Sequence, residues 1–257
     1  MIKKILFLII FFIFFISISN AEVAYIPYNT HEGNLFISGI KKIIPDISIF
    51  NSENINDNIK IILTMSLKDY LNIKVTNKKI FAAFLDDYVK GLNNTKNLIG
   101  EFIPDFPYYQ IIMKIKEHYP HINSIGIVLH NERLIKKIAG LRIYSPLIKI
   151  YEVTNRQELF YKFNQAVRNN DFILLVPDNF IFNYFSIQKI LKILNNNDII
   201  YGGYSKAFLK YGASMGFEID YYKEGVKVGH FLKNYKCMDE KKIKIFYPDK
   251  IEYFFND

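Results

Sequence analysis

The chain has 257 residues, is 50% hydrophobic and 23% charged, and carries a formal net charge of +8. A composition this apolar excludes an intrinsically disordered chain, and the length fits one or two domains. A single cysteine excludes an intramolecular disulfide framework, a cysteine-rich zinc site and an iron–sulfur cluster.

At the start of the chain, Lys3 and Lys4 precede an unbroken apolar run from Ile5 to Ile16, which ends in Ser17-Ile18-Ser19-Asn20-Ala21. A short basic region, an apolar stretch and small residues at Ser19 and Ala21 read as a signal peptide over residues 1–21, cleaved after Ala21. The alternative, an uncleaved anchor, has an apolar run short of the ~20 residues that span a bilayer. No cysteine lies near the cleavage position, which excludes a lipoprotein anchor. The expected location is periplasmic. Paired lysines at Lys41/Lys42, Lys78/Lys79, Lys136/Lys137 and Lys241/Lys242 are dispersed, whereas nucleic-acid binding favours a concentrated basic stripe, so no nucleic-acid partner is expected.

From Glu22 onward, short β-rich runs alternate with helical patterns. The predicted strands are Glu22–Ile26, Asp46–Phe50, Lys60–Thr64, Lys79–Leu85, Ser124–Leu129, Lys149–Val153, Asp171–Pro177 and Asp198–Gly202. Most are continuous apolar runs, as suits strands covered on both faces. The predicted helices are Asn34–Ile44, Tyr108–Tyr119, Asn155–Val167, Phe185–Leu194 and Tyr221–Leu232, with Arg156 and Glu158 in the first turn of the third; Asn51–Asn58 reads as an Asn-rich loop. Strands alternating with helices predict βαβ units and parallel sheets. Two prolines in Ile103-Pro104-Asp105-Phe106-Pro107 mark a break between two lobes.

The predicted strands run into polar groups: Tyr28-Asn29-Thr30-His31, Met65-Ser66, Asp86-Asp87-Tyr88, His130-Asn131, Asp178-Asn179 and Tyr204-Ser205-Lys206. In open parallel sheets ligands bind where the strand C-terminal ends collect. Each group alone is equally suited to capping a helix or making a turn.

Five segments carry a family resemblance: Asp86-Asp87-Tyr88-Val89-Lys90-Gly91-Leu92, Asn97-Leu98-Ile99-Gly100, Ser124–Leu129, Leu174-Leu175-Val176-Pro177-Asp178, and Gly203–Phe208 followed by Gly212-Ala213, Asp220-Tyr221-Tyr222, Gly225 and Gly229. In this order and spacing the chain resembles the ABC transporter substrate-binding protein family that includes tryptophan-type binding proteins. The resemblance covers roughly Lys79 to Asn234. It implies an α/β fold of two Rossmann-like lobes with parallel sheets joined by a hinge, like type 1 periplasmic binding proteins, with a small molecule bound in the cleft. The expected division is 22–104 with 211–235 as the first lobe and 105–210 with 236–257 as the second. The stretch between Ile26 and Lys60 is short for the family, so the first lobe is expected to be trimmed. Gly225 and Gly229, four apart, would share a helix face packed closely on a sheet, and Gly212 would permit a turn.

The function implied is a solute-binding protein of an ABC-type uptake system, monomeric, whose partners are a small-molecule ligand (an amino acid or aromatic compound) and an inner-membrane permease, with no cofactor. Candidate contacts are Asn29, Thr30, Ser66 and Asp86 in the first lobe and His130, Asn131, Asp178 and Ser205 in the second. Asp220 suits a solute ammonium group or a helix cap. The alternative is a periplasmic sensor or accessory module of the same fold with a degenerate cleft. Enzyme signatures are missing: no Gly-x-Ser-x-Gly elbow, no His-Glu-x-x-His and no phosphate-binding glycine loop occurs. His118 and His121 flank Pro120 at an expected helix end and are the residues considered for a metal site.

Overall fold

The computed structural model describes residues 22–27, 30–49, 59–66, 68, 70, 73, 78–84, 97–143, 147–235 and 243–256. The expected signal peptide, the 51–58 loop and the Asp86–Leu92 turn lie outside them. In chain order the elements are β1 (Val23–Tyr25), α1 (His31–Ile43), β2 (Ser48–Ile49), β3 (Ile61–Thr64), β4 (Lys79–Ala83), β5 (Leu98–Phe102), α2 (Tyr108–His118), β6 (Ile125–Leu129), α3 (Glu132–Gly140), β7 (Ile148–Glu152), α4 (Leu159–Arg168), β8 (Phe172–Leu174), α5 (Tyr184–Asn196), β9 (Ile200–Gly203), β10 (Met215–Ile219), α6 (Tyr221–Asn234), β11 (Lys244–Phe246) and β12 (Ile251–Phe255). They form two compact units: the described residues up to Asp105 with Asp220–Asp249, and Phe106–Ile219 with Lys250–Asn256.

The first unit is built on a sheet of order β11-β5-β4-β3-β1-β2. All its pairings are parallel. Alternate side chains of the buried strands serve opposite faces. Leu63, Phe81, Ala83 and Phe102 meet Phe36 and Ile40 of α1 and Val228 and Phe231 of α6 on one face. Ala24 and Ile62, and Ile80, Ala82 and Leu98, form smaller clusters separate from that one. Among the described residues this sheet has six strands, as many as that of the second unit.

The glycines of α6 contact another helix, and the expectation of close packing on a sheet is corrected. A Cβ on Gly225 would lie 2.0 Å from the Phe36 carbonyl oxygen, and one on Gly39 would lie 2.1 Å from that of Tyr222. Gly229 faces Ile40 and Ile43 in the same way. The missing side chains let α1 and α6 cross backbone to backbone.

The second unit has the order β12-β10-β9-β8-β6-β7. It is parallel except for β12, which runs antiparallel to β10. Two expected boundaries are corrected. Residues 211–219 were expected in the first lobe, but Met215 and Gly216 pair with Gly202 and Gly203 of β9, which fixes β10 inside the second sheet. Residues 236–257 were expected in the second lobe; β12 does lie there, paired with β10, but Lys244–Phe246 pairs with Gly100–Phe102 of β5 in the first, and the crossing falls at Asp249/Lys250. Gly212 has φ +97° and closes the short 3-10 helix Lys206–Tyr211, the turn expected of it. The predicted helix Asn155–Val167 starts later, at Leu159, because the Asn155 side chain accepts from the Gln157 and Glu158 N–H groups and holds a turn there.

Among the described residues, no helix is long and apolar enough to cross a membrane.

Candidate ligand-binding edges

The C-terminal ends of β6 and β8 are tied together by one carboxylate. Asp178 is 4% exposed. Its Oδ2 accepts from the His130 and Asn131 N–H groups, both at 2.8 Å, which joins the β6 and β8 ends. Its Oδ1 accepts from Phe180 N–H at 3.0 Å and Ile181 N–H at 3.4 Å, which shapes the loop after β8. Four backbone donors on one carboxylate make Asp178 a scaffold for the edge, so the lone pairs expected to face a solute are already engaged.

His130 is held from the β7 end. Its Nδ1 lies 2.7 Å from the Val153 carbonyl oxygen. A carbonyl only accepts, so Nδ1 carries the proton. The imidazole stacks on Phe180 with ring centroids 3.8 Å apart and planes 21° apart. The Arg156 guanidinium also sits over the Phe180 ring, its carbon 4.7 Å from the ring centroid. The backbone around Arg156 is equally constrained: the Glu158 carboxylate accepts from the Thr154 and Asn155 N–H groups and from the Thr154 hydroxyl.

The remaining expected residues of this unit act as caps. Asn131 accepts from Arg133 N–H at 2.9 Å and Leu134 N–H at 3.2 Å and starts α3. Ser205 accepts from Ala207 N–H and donates to Glu218 Oε1 at 2.9 Å, linking β9 to β10. The adjacent Tyr204 packs edge-on against Phe182 and Phe208. Burial, with the Asp178 carboxylate as a second cause, pushes its phenol from 10.0 up to about 12.

The Tyr204 shift has a sign. The fold keeps this phenol neutral where the unfolded chain ionises, so its stabilising share is whole below pH 10 and is lost as pH rises towards 12. Tyr204→Phe is expected to flatten the fall in stability over that window, read by denaturant unfolding at a series of alkaline pH values. An unchanged slope would contradict the assignment.

In the first unit, Thr30 caps α1 by accepting from Gly33 N–H at 3.0 Å. Ser66 follows β3 and its carbonyl accepts from Tyr70 N–H. Asn29 and Asp86 lie outside the described residues. Phe84, at the end of β4, has φ +57°, a left-handed conformation costly for a bulky residue. It is held there by Tyr221, stacked at 5.4 Å, and by Phe36 and Phe102. Asp220 caps α6, accepting from Lys223 N–H at 3.0 Å and pairing with Lys223 Nζ at 2.5 Å. Of its two expected roles, the structure displays the cap.

Within the second unit the structure therefore brings His130, Asn131 and Asp178 together through backbone N–H groups, and Ser205 follows β9, the strand next to β8 in the same sheet. Phe180 and Arg156 escaped the sequence reading. Phe180 lies two residues beyond a strand end already singled out, and Arg156 was read as part of a helix. Of the two histidines flanking Pro120, His118 stacks on Phe255 at 3.8 Å. Among the described residues no cluster of three or more histidine, cysteine, aspartate or glutamate side chains could hold a metal.

Solved structures share this architecture. A ligand-free, open substrate-binding protein with adhesive properties from Clostridium difficile is 16% identical, with 91% of each chain covered and a TM-score of 0.68. The ABC domain in complex with L-Trp from Streptococcus pneumonia is 14% identical, with 90% of this chain and 91% of that one covered and a TM-score of 0.58. A LacI transcriptional regulator from Lactobacillus brevis is 8% identical, with 88% and 97% covered and a TM-score of 0.55. No family model and no curated protein matches the chain. At these identities the likeness establishes the fold, that of type 1 periplasmic binding proteins and LacI-type regulators.

Proposed function

We propose that this protein is an exported solute-binding protein of an ABC-type uptake system, which binds a small molecule at its strand C-terminal edges and presents it to a permease. It acts by binding and not by catalysis. The observation that carries this reading is the construction of the second unit's edge. Three loops are locked by the Asp178 carboxylate and the His130–Val153 contact, which presents a preformed surface. Preformed polar and aromatic edges suit ligand binding, because the ordering cost is met before the ligand arrives. A solute-binding protein and the L-Trp complex among the solved structures of this fold support the reading.

A thermal-shift screen of the protein from Glu22 onward, against amino acids, aromatic acids, nucleosides and sugars, tests it. A ligand at 100 times its Kd adds ~2.7 kcal/mol, a shift of several degrees. At least one saturable shift is expected. No shift across the panel would reject solute binding and leave the sensor or accessory reading.

A further inference from the structure

We infer that Arg156 is the anion-recognising group of the second unit's edge and that the solute carries a carboxylate. This deepens the solute-binding reading and rests on it. Arg156 is exposed, and its turn is fixed by the Asn155 and Glu158 hydrogen bonds. Its guanidinium packs over Phe180, which also stacks on His130, itself bonded to Val153. Among the described residues no carboxylate lies within ion-pair distance of it, whereas Lys114 pairs with Glu117 and Lys136 with Glu132.

A cation held in place over an aromatic ring, with its planar donor fork uncommitted, is preorganised for a bidentate carboxylate. The contact with the ring uses none of the guanidinium's hydrogen bonds, and its N–H groups remain available to donate. With His130 stacked on it and the Arg156 guanidinium over it, Phe180 acts as a support for Arg156. His130 is a positioning residue that acts through Phe180.

The test is a calorimetric titration with paired probes: L-tryptophan against L-tryptophanamide, and indoleacetate against indoleacetamide, with ribose and adenosine as carboxylate-free solutes. Binding is expected for acids and not for their amides. Arg156→Gln is expected to weaken acid binding by roughly 30-fold, the loss of a hydrogen-bonded charge. Arg168→Gln removes the same charge from the exposed end of α4 and is expected to leave binding unchanged. Melting curves check that both variants stay folded. Binding restricted to ribose or adenosine, or acid binding that Arg156→Gln leaves intact, would overturn the inference while the solute-binding reading stands. No binding by any probe, or by any member of the wider screen, would overturn both.

Discussion

Gly225→Ala is expected to destabilise the first unit by about 3 kcal/mol, at the upper end of what overpacking costs. The added methyl would lie 2.0 Å from the Phe36 carbonyl oxygen. That neighbour is backbone, so no rotamer change relieves the clash and α1 and α6 must separate. Separation loosens the layer in which Phe36 and Ile40 meet Val228 and Leu232. Gly39→Ala strikes the same crossing from the other side, 2.1 Å from the Tyr222 oxygen, and should have a similar effect. Gly140→Ala is the control. No atom lies within 4 Å of its added methyl, and alanine in a helix is favoured over glycine by roughly 0.5–1 kcal/mol. Urea unfolding followed by circular dichroism reads all three. A wild-type midpoint for Gly225→Ala would contradict the backbone-to-backbone crossing.

Asp178→Ala is expected to cost about 3 kcal/mol or more in the second unit. The carboxylate accepts four backbone N–H groups, and losing it leaves His130, Asn131, Phe180 and Ile181 without that acceptor. Each orphaned buried donor costs about 1–3 kcal/mol, less where water reaches it. Asp178→Asn keeps the shape and one acceptor oxygen, so its cost should be smaller. Hydrogen exchange at these four amides is the discriminating readout. Their protection should fall in Asp178→Ala well before that of β9 or β10. Unchanged protection would show that the loops hold themselves. Because Phe180 supports Arg156, the same variant should also weaken solute binding.

Much of the sheet layout was legible because strands covered on both faces are continuous apolar runs, as in Ile61-Ile62-Leu63 and Ile125–Leu129. β5 was harder to see. Gly100 and the buried carboxyl of Glu101 interrupt its apolar run, although all five residues are buried. α3 buries only Ile138, so its short polar sequence gives little periodicity. β11 takes its place through pairing with the distant β5, and β12 is separated in sequence from its partner β10 by the whole of α6; no local pattern encodes either choice. The candidate edge divides in the same way. Polar residues at strand ends could be named from the sequence. Their duties could not, because the partners of Asp178 are backbone N–H groups and the partner of His130 is a backbone carbonyl, which look alike at every position. Arg156 gained its role from Phe180, more than twenty residues later.

Binding of a small solute by this fold underlies both the proposed function and the role of Arg156. Isothermal titration of the protein from Glu22 onward with the best hit of the thermal screen tests it most directly. A saturable one-to-one isotherm with a carboxylate-bearing solute is expected, weakened by Arg156→Gln and retained in Arg168→Gln. A folded protein that gives no saturable heat with any member of the panel would contradict it.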